Sequence, residues 1–387
     1  MRRKICVITG SRAEYSFLKP LLQEFKRVAS ADLQLIVTGM HLSSEFGLTH
    51  RIIQQDGFSI DEKVEMLVGP DTPIGISKSM GLAMRGLSES YARLRPDVVV
   101  VLGDRFEIFS AVVAALVNRI PVAHISGGEL TQGVIDDSFR HSMTKMSHLH
   151  FTSIEEYRKR VIQLGEDPKC VFTVGSLCLD HIKRTKLLAR VALEKKLNFR
   201  FNQRNLLVTF HPNTLEKGTS RQQFQELLNT LDELKNTNII FTKANADMEG
   251  RIINTLMEGY VRKNRHKVIS FASMGPLLYL STMQYVDAVI GNSSSGIMEA
   301  PSFKIGTINI GDRQKGRIMA PSIICCHPIQ TEIRKAIKKL YSKNFQKILS
   351  RVKNPYGDGK TAKRIVDVLK NYDLRNILKK KFYDLPF

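Results

Sequence analysis

Three consecutive serines lie in the stretch Gly291 to Pro301, GNSSSGIMEAP, which follows the strand-like run Val286 to Ile290 and opens a helical pattern. Residues of this kind at such a junction can cradle a phosphate. Small side chains let the backbone approach an anion, hydroxyls donate to its oxygens, and the free N–H groups of a helix start favour negative charge. Glu299 lies two turns in, within reach of a ribose diol. Serine and asparagine are also ordinary helix caps, so the string alone leaves both readings open.

A second group of charged residues sits in the other half, again just after apolar runs. Asp97 to Leu102 (DVVVVL) has the pattern of a strand buried on both faces of a parallel sheet and ends in Gly103-Asp104-Arg105-Phe106-Glu107; Ile108 to Val117 then reads as a buried helix. Ile120 to Ile125 closes in Ser126-Gly127-Gly128-Glu129, and Asp136, Asp137, Arg140 and His141 follow a short loop later. Open α/β sheets bind ligands at the carboxyl ends of their strands, which is where both groups fall. Asp104 and Glu129 would otherwise be plain helix caps, and their company argues against that. In the loop after the first strand, Arg12 at a helix start would reinforce an anion site. His211, in Phe210-His211-Pro212-Asn213-Thr214, stands at another strand end.

The elements that must position these groups alternate in βαβ fashion. Strand candidates of the first half are Lys4 to Thr9, Leu33 to Thr38, Asp97 to Leu102, Pro121 to Ile125, Leu149 to Thr152 and Val171 to Val174, with helical patterns such as Tyr15 to Val28, Ile76 to Leu94 and Ser138 to Met146 between them. After a charged, helical connector, Asp180 to Asn205, the pattern restarts with Asn205 to Phe210, Asn238 to Thr242, Lys267 to Ser270, Ala288 to Gly291, Gly306 to Ile310 and Ser322 to Cys326. Two Rossmann-like domains with a cleft between them, dividing near residue 185, are the economical reading.

Composition narrows the class. A chain of 387 residues suggests two or three domains, and 43% hydrophobic content supplies packed cores. The basic start, Met1-Arg2-Arg3-Lys4, precedes an apolar run too short for a secretory signal, and no segment is long and apolar enough to span a bilayer. Five cysteines without CxxC spacing indicate neither a disulfide framework nor a zinc site, so a cytoplasmic protein without metal or other cofactor is expected. The net charge of +21 would suit nucleic acid, but much of it lies in Arg334 to Lys353 and Arg375 to Lys381, interspersed with apolar residues as on amphipathic helices. No RNP-like motif, zinc finger or basic zipper is present, and no nucleic-acid partner is expected.

At this point a family resemblance emerges. GSRAEY (Gly10 to Tyr15), TGMHL (Thr38 to Leu42), GDRFE (Gly103 to Glu107), HISGGE (His124 to Glu129), DDSFRHSMTKMSHLH (Asp136 to His150), VGS (Val174 to Ser176), FHPNT (Phe210 to Thr214), GNSSSGIMEAPS (Gly291 to Ser302) and NIGDRQKGR (Asn309 to Arg317) resemble the UDP-N-acetylglucosamine 2-epimerases, most of all their hydrolysing branch. The resemblance implies a GT-B type fold with the active site in the cleft between two Rossmann-like domains, and a homodimer or homotetramer. Residues 1–185 would then form an N-terminal domain with the catalytic acidic cluster, 186–365 a C-terminal UDP-binding domain, and 366–387 a basic helix packing back on the first domain. By resemblance Arg12, Arg105, Ser293, Ser294, Gly296, Glu299 and Arg313 would hold UDP, with Ser293 and Ser294 at the diphosphate and Glu299 at the ribose. Asp104, Asp136 and His211 would fall on positions implicated in catalysis. Such an enzyme eliminates UDP across carbons 1 and 2 of the sugar and hydrates the glycal, which requires a base, stabilisation of a cationic transition state and neutralisation of the departing diphosphate.

One departure stands out. Similar hydrolysing enzymes often carry Glu where this chain has Ser126, and a serine cannot act as a carboxylate base. Either Glu129 takes over, or the site is widened for a larger group at carbon 4, as in the hydrolase of UDP-2,4-diacetamido-2,4,6-trideoxyglucose on the way to legionaminic acid. The first expectation is UDP-N-acetylglucosamine converted to N-acetylmannosamine for sialic acids, with the diacetamido sugar as the alternative. A GT-B glycosyltransferase or a UDP-sugar binding protein remains as a reading from another class.

Overall fold

In the strand β1 (Arg3–Thr9), Ile5 and Val7 belong to one apolar cluster and Cys6 and Ile8 to another, and all four are fully buried. Strand side chains alternate between faces, so this strand is covered on both sides and must lie inside a sheet. The structure, a computed structural model, describes residues 2–68, 72–131, 135–212, 218–244 and 250–385. Asn213 and Thr214 of the FHPNT string lie outside the described residues.

Contacts divide the chain into two units, the first built from the chain up to Arg184, apart from Thr131–Gly133, and from Tyr356 onward, the second from Thr185–Pro355 with Thr131–Gly133. In the first, β1 is followed by α1 (Arg12–Lys26), β2 (Ala31–Thr38), α2 (His50–Gln55), β3 (Glu62–Val64), α3 (Pro73–Leu94), β4 (Val98–Leu102), α4 (Phe106–Val117), β5 (Val122–Ile125), α5 (Ile135–Met146), β6 (Leu149–Thr152), α6 (Glu155–Gln163), β7 (Val171–Thr173) and α7 (Leu177–Arg184). The sheet order is β3-β2-β1-β4-β5-β6-β7, all parallel. The order reverses between β1 and β4, the point at which such sheets open a crevice for ligands. β3 had no counterpart in the sequence reading, because three residues with two charges, Glu62-Lys63-Val64, carry no apolar run.

The second unit holds α8 (Arg190–Leu197), β8 (Arg204–Thr209), α9 (Ser220–Asp232), β9 (Thr237–Thr242), α10 (Gly250–Lys263), β10 (Val268–Phe271), α11 (Gly275–Met283), β11 (Ala288–Gly291), α12 (Ser294–Met298), β12 (Gly306–Ile310), β13 (Ile323–Cys326), α13 (Gln330–Leu340) and α14 (Lys343–Arg351). Its sheet runs β10-β9-β8-β11-β12-β13, again parallel, with the reversal between β8 and β11. Phe210, Phe224, Phe241 and Tyr260 form a chain of ring contacts through its core.

The last helix, α15 (Thr361–Asn371), returns to the first unit. Ala362, Ile365, Val366 and Leu369 recur at helical spacing and join the cluster containing Ile5 and Val7. Burying Ile365, Val366 and Leu369 contributes about 1.5–3 kcal/mol each. Its start is fixed by Asp180, whose carboxylate accepts the Thr361 and Ala362 N–H groups at 2.9 and 3.0 Å. A carboxylate there satisfies orphan donors and opposes the helix dipole. The basic helix expected over 366–387 is thus corrected: the helix spans Thr361–Asn371, and the chain from Tyr372 to Leu385 is turns and extended segment. Asp373 accepts the Arg375 N–H at 2.9 Å and pairs with its guanidinium, a local bond that competes with helix continuation. Among the described residues no helix is long and apolar enough to cross a membrane.

Candidate functional site

In the first unit the charged residues collect after β1, β4 and β5, around the reversal of strand order. Arg12 is the first residue of α1, exposed, behind the N-cap Ser11. Arg105 is the N-cap of α4 in an extended conformation, and the helix has no side-chain cap there. Asp104 is therefore not spent on capping. Its carboxylate is ion-paired with Arg140, a guanidinium 4% exposed.

Arg140 organises the cluster. One amino group donates to the Glu129 carbonyl at 2.8 Å and to Asp137 at 2.7 Å, while the other meets Asp104. A planar fork can serve such a set at once. Asp136, Asp137 and Arg140 fall on the first two turns of α5 because the helix spacing of three and four places them near one another. Burial, and after it the charge of Asp104, raises the Asp136 carboxyl above the usual aspartate range, against the opposing pull of Arg105 and Arg140. Asp104 is thus paired with a guanidinium while burial and the Asp104 charge push Asp136 toward its protonated form, so the two carboxylates stand in different environments.

Glu129 is buried, and its carboxylate accepts from the Ser153 hydroxyl at 3.3 Å. Ser126 is half-buried at the end of β5 with φ +69, the left-handed region, and its N–H donates to the Phe151 carbonyl. Leu102 pairs with Ile125, and Gly103 donates to the Ile125 carbonyl, so Ser126 and Asp104 follow neighbouring strand ends. Beneath them His124 contacts the Gly103 carbonyl at 2.8 Å and Thr144 of α5 at 3.3 Å. Glu107, part of the GDRFE string, and Glu14, part of GSRAEY, were given no role from the sequence. Glu107, 1% exposed, binds Arg105 Nε at 2.5 Å, and Glu14 accepts the Gly10 N–H at 3.0 Å. Both carboxylates sit on the first turn of a helix, where burial is not visible in sequence.

In the second unit, His211 and Asn292 follow β8 and β11, again at the reversal. Asn292 locks the two loops together: it accepts the His211 N–H at 2.7 Å and donates to the His211 carbonyl at 2.8 Å. Arg313 and Gln314 both donate to the Asn292 carbonyl, at 3.0 and 2.9 Å. Gly291 takes φ +128, and a Cβ there would overlap the Thr209 carbonyl, so only glycine fits. Ser293 caps α12 through the Ser295 N–H, Ser294 opens that helix, and Gly296 packs under Thr307, whose hydroxyl donates to the Gly296 carbonyl at 2.6 Å. Burial and then Arg313 hold His211 down to about 4, so it is neutral at pH 7. Glu299 is raised by burial, and burial with the Glu299 charge pushes Tyr279, another residue the sequence reading passed over, up to about 12. The structure thus brings together Arg105, Asp104, Ser126, Glu129 and Asp136 in one unit, and His211, Ser293, Ser294, Gly296, Glu299 and Arg313 in the other. Among the described residues no group of three or more His, Cys, Asp or Glu is placed to hold a metal ion.

The chain is matched over residues 23–370 by the profile of the UDP-N-acetylglucosamine 2-epimerase family. It is 46% identical over 385 residues, 99% of this chain and 100% of the relative, to GDP/UDP-N,N'-diacetylbacillosamine 2-epimerase (hydrolyzing) of Campylobacter jejuni. It is 38% identical over 387 residues, 99% of this chain and 98% of the relative, to polysialic acid biosynthesis protein P7 of Escherichia coli. Its fold is that of the UDP-GlcNAc 2-epimerase of Neisseria meningitidis solved with UDP-GlcNAc, with a TM-score of 0.81 at 17% identity, covering 95% of this chain and 99% of that one. With the two parallel sheets and their ordered strand-end clusters, these matches establish that the chain belongs to the UDP-N-acetylglucosamine 2-epimerase family, among its hydrolysing members.

Proposed function

We propose that the protein hydrolyses and epimerises a nucleoside-diphospho-2,4-diacetamido-2,4,6-trideoxyglucose, the N,N'-diacetylbacillosamine sugar, at carbon 2. The observation that carries the chemistry is the carboxylate pair in contrasting environments, Asp104 on Arg140 and Asp136 pushed upward. A carboxylate takes the proton from carbon 2 while the bond from carbon 1 to the diphosphate oxygen breaks, giving a glycal and the free nucleoside diphosphate. Water then adds its hydroxyl to carbon 1 and a proton to carbon 2 on the face opposite to the one vacated, which releases the inverted free sugar. Asp136, with its raised affinity for a proton, is the base that takes the proton from carbon 2 and passes it to solvent; the proton added on the opposite face comes from water, and Asp104 stabilises the cationic transition state at carbon 1. In the second unit Ser293, Ser294 and Arg313 bind the diphosphate, Glu299 takes the ribose diol, and neutral His211 serves as a hydrogen-bonding group; in the first unit Arg12 and Arg105 supply positive charge beside the carboxylates.

Two points support the diacetamido sugar: Ser126, where the family resemblance implies a glutamate, and 46% identity to the Campylobacter relative. UDP-N-acetylglucosamine is the second reading, favoured by the family description matched over residues 23–370. Purified protein incubated in heavy water with UDP- and GDP-linked diacetamido sugar and with UDP-N-acetylglucosamine, with NMR of the released sugar, tests both. The expected result is free 2-epimerised diacetamido sugar with deuterium at carbon 2. Retention of the original proton there, or a product still attached to nucleotide, overturns the hydrolysing reading.

A further inference from the structure

The basic C-terminal segment has no part in the chemistry above, yet the structure ties it to the helix that carries Asp136, Asp137 and Arg140. Lys380 donates to the carbonyls of Lys145 and Ser147, both at 2.7 Å, at the C-terminal end of α5. Its ammonium also pairs with Glu166 at 2.6 Å. A cation at this end of a helix satisfies carbonyls that lack intrahelical partners and complements the helix dipole.

The attachment is specific along its length. Tyr383 donates its N–H to the Gly165 carbonyl at 2.9 Å, and the Phe382 ring lies against Gly165, where φ is +86 and a Cβ would overlap the ring. Lys145 of α5 sits 4.8 Å over the same ring and reaches Glu166 at 2.7 Å. Glu166, 1% exposed, also meets His150 of β6 at 2.9 Å. Burial alone would raise the Glu166 carboxyl; His150, Lys145 and Lys380 outweigh it and push it down to about 2.

The neighbouring strand carries a second buried histidine nearer the chemistry. His150 is in register with His124 on β5, and both are fully buried. His124 contacts the Gly103 carbonyl, one residue before Asp104, and Thr144, whose hydroxyl donates to the Arg140 carbonyl at 3.1 Å. The strap therefore grips α5 at its far end, and the helix it grips carries Asp136 and Arg140, the latter ion-paired with Asp104.

We propose that Lys380 is a positioning residue for catalysis: the C-terminal strap fixes the axial placement of α5 and so the register of Asp136 and Arg140 against Asp104. This rests on the acid–base reading of that cluster. The test compares Lys380→Met, Lys380→Arg and Phe382→Ala with the wild type, using the nucleotide sugar that the wild type turns over. Melting temperature, kcat and KM are measured for each. If the wild type turns over neither sugar, the functional reading fails before any variant is made. Given active wild type, Lys380→Met should stay folded, keep KM within about twofold and lose about tenfold to a hundredfold in kcat, the scale of a roughly 1 Å misplacement. Lys380→Arg should recover most of that loss. Phe382→Ala leaves every buried charge paired and should lower kcat in the same direction. Wild-type kcat in Phe382→Ala, or in a folded Lys380→Met with only a lower melting temperature, overturns the proposal.

Discussion

The guanidinium of Arg140 joins Asp104 to α5 from a site almost closed to water: the side chains are 4% and 24% exposed. The pair ties the residue just past β4 to the second turn of α5, and the same fork holds Asp137 and the Glu129 carbonyl. Its arrangement decides where the neighbouring carboxylates can stand. Removing one partner of a buried pair leaves an uncompensated charge, so Arg140→Ala should lose about 3–5 kcal/mol of unfolding free energy. Arg140→Lys, which keeps the charge and loses the fork, should be more stable than the alanine variant and still fall well below wild type in kcat. Urea unfolding and steady-state kinetics separate the two effects. Near-normal turnover in Arg140→Lys would mean that the fork geometry is not what the chemistry uses.

Asp136 gives a signature in pH. Burial first, and then the charge of Asp104, raises its folded-state carboxyl above the unfolded value. A carrier that must begin unprotonated loses activity as pH falls through that raised value, so the acid limb of kcat should lie above the ordinary aspartate range, and Asp136→Asn should abolish the limb with the turnover. The sign for stability is opposite. A raised carboxyl favours the folded state when protonated, and that contribution is lost as pH rises through the folded-state value. Asp136→Asn should therefore be neutral or slightly stabilising at pH 7. A variant that is both active and destabilised points to a structural aspartate.

Much of the fold was legible because its strands are buried on both faces. Val98 to Leu102 is apolar at every position, so the run declares itself whatever the neighbours. β3 did not, and the return of the last helix to the first unit was expected only from the family resemblance and for 366–387, not for Thr361–Asn371. That return depends on Asp180, 0% exposed, meeting a helix start far along the chain, and nothing local to either residue announces it. The strand ends bearing Asp104 and His211 could be located, but strand order could not, so the reversals between β1 and β4 and between β8 and β11 are findings of the structure. The role of Glu107 and the place of Tyr279 were hidden for a related reason: each reads as an ordinary helix residue until burial and partners are known.

Ser126 offers the sharpest test of substrate choice. It holds a left-handed φ of +69 at the end of β5, beside the strand end that carries Asp104, and its neighbour Gly127 is buried. A glutamate there would add a longer, charged side chain to a half-buried position already rich in carboxylates. Crowding in a pocket built for a substituent at carbon 4 costs about 1–3 kcal/mol in transition-state binding, roughly 10–200-fold. Ser126→Glu should therefore lower kcat/KM for the diacetamido sugar by that order, while kcat/KM for UDP-N-acetylglucosamine, which has a hydroxyl at carbon 4, falls less or rises. If instead Glu129 replaces the missing carboxylate, wild type should prefer UDP-N-acetylglucosamine and Glu129→Gln should abolish its turnover. The Ser153 hydroxyl that Glu129 accepts, and the Arg140 fork on its carbonyl, hold this residue in the wall of the cluster. That anchoring favours the first outcome, and the ratio of kcat/KM on the two sugars for wild type and both variants decides it.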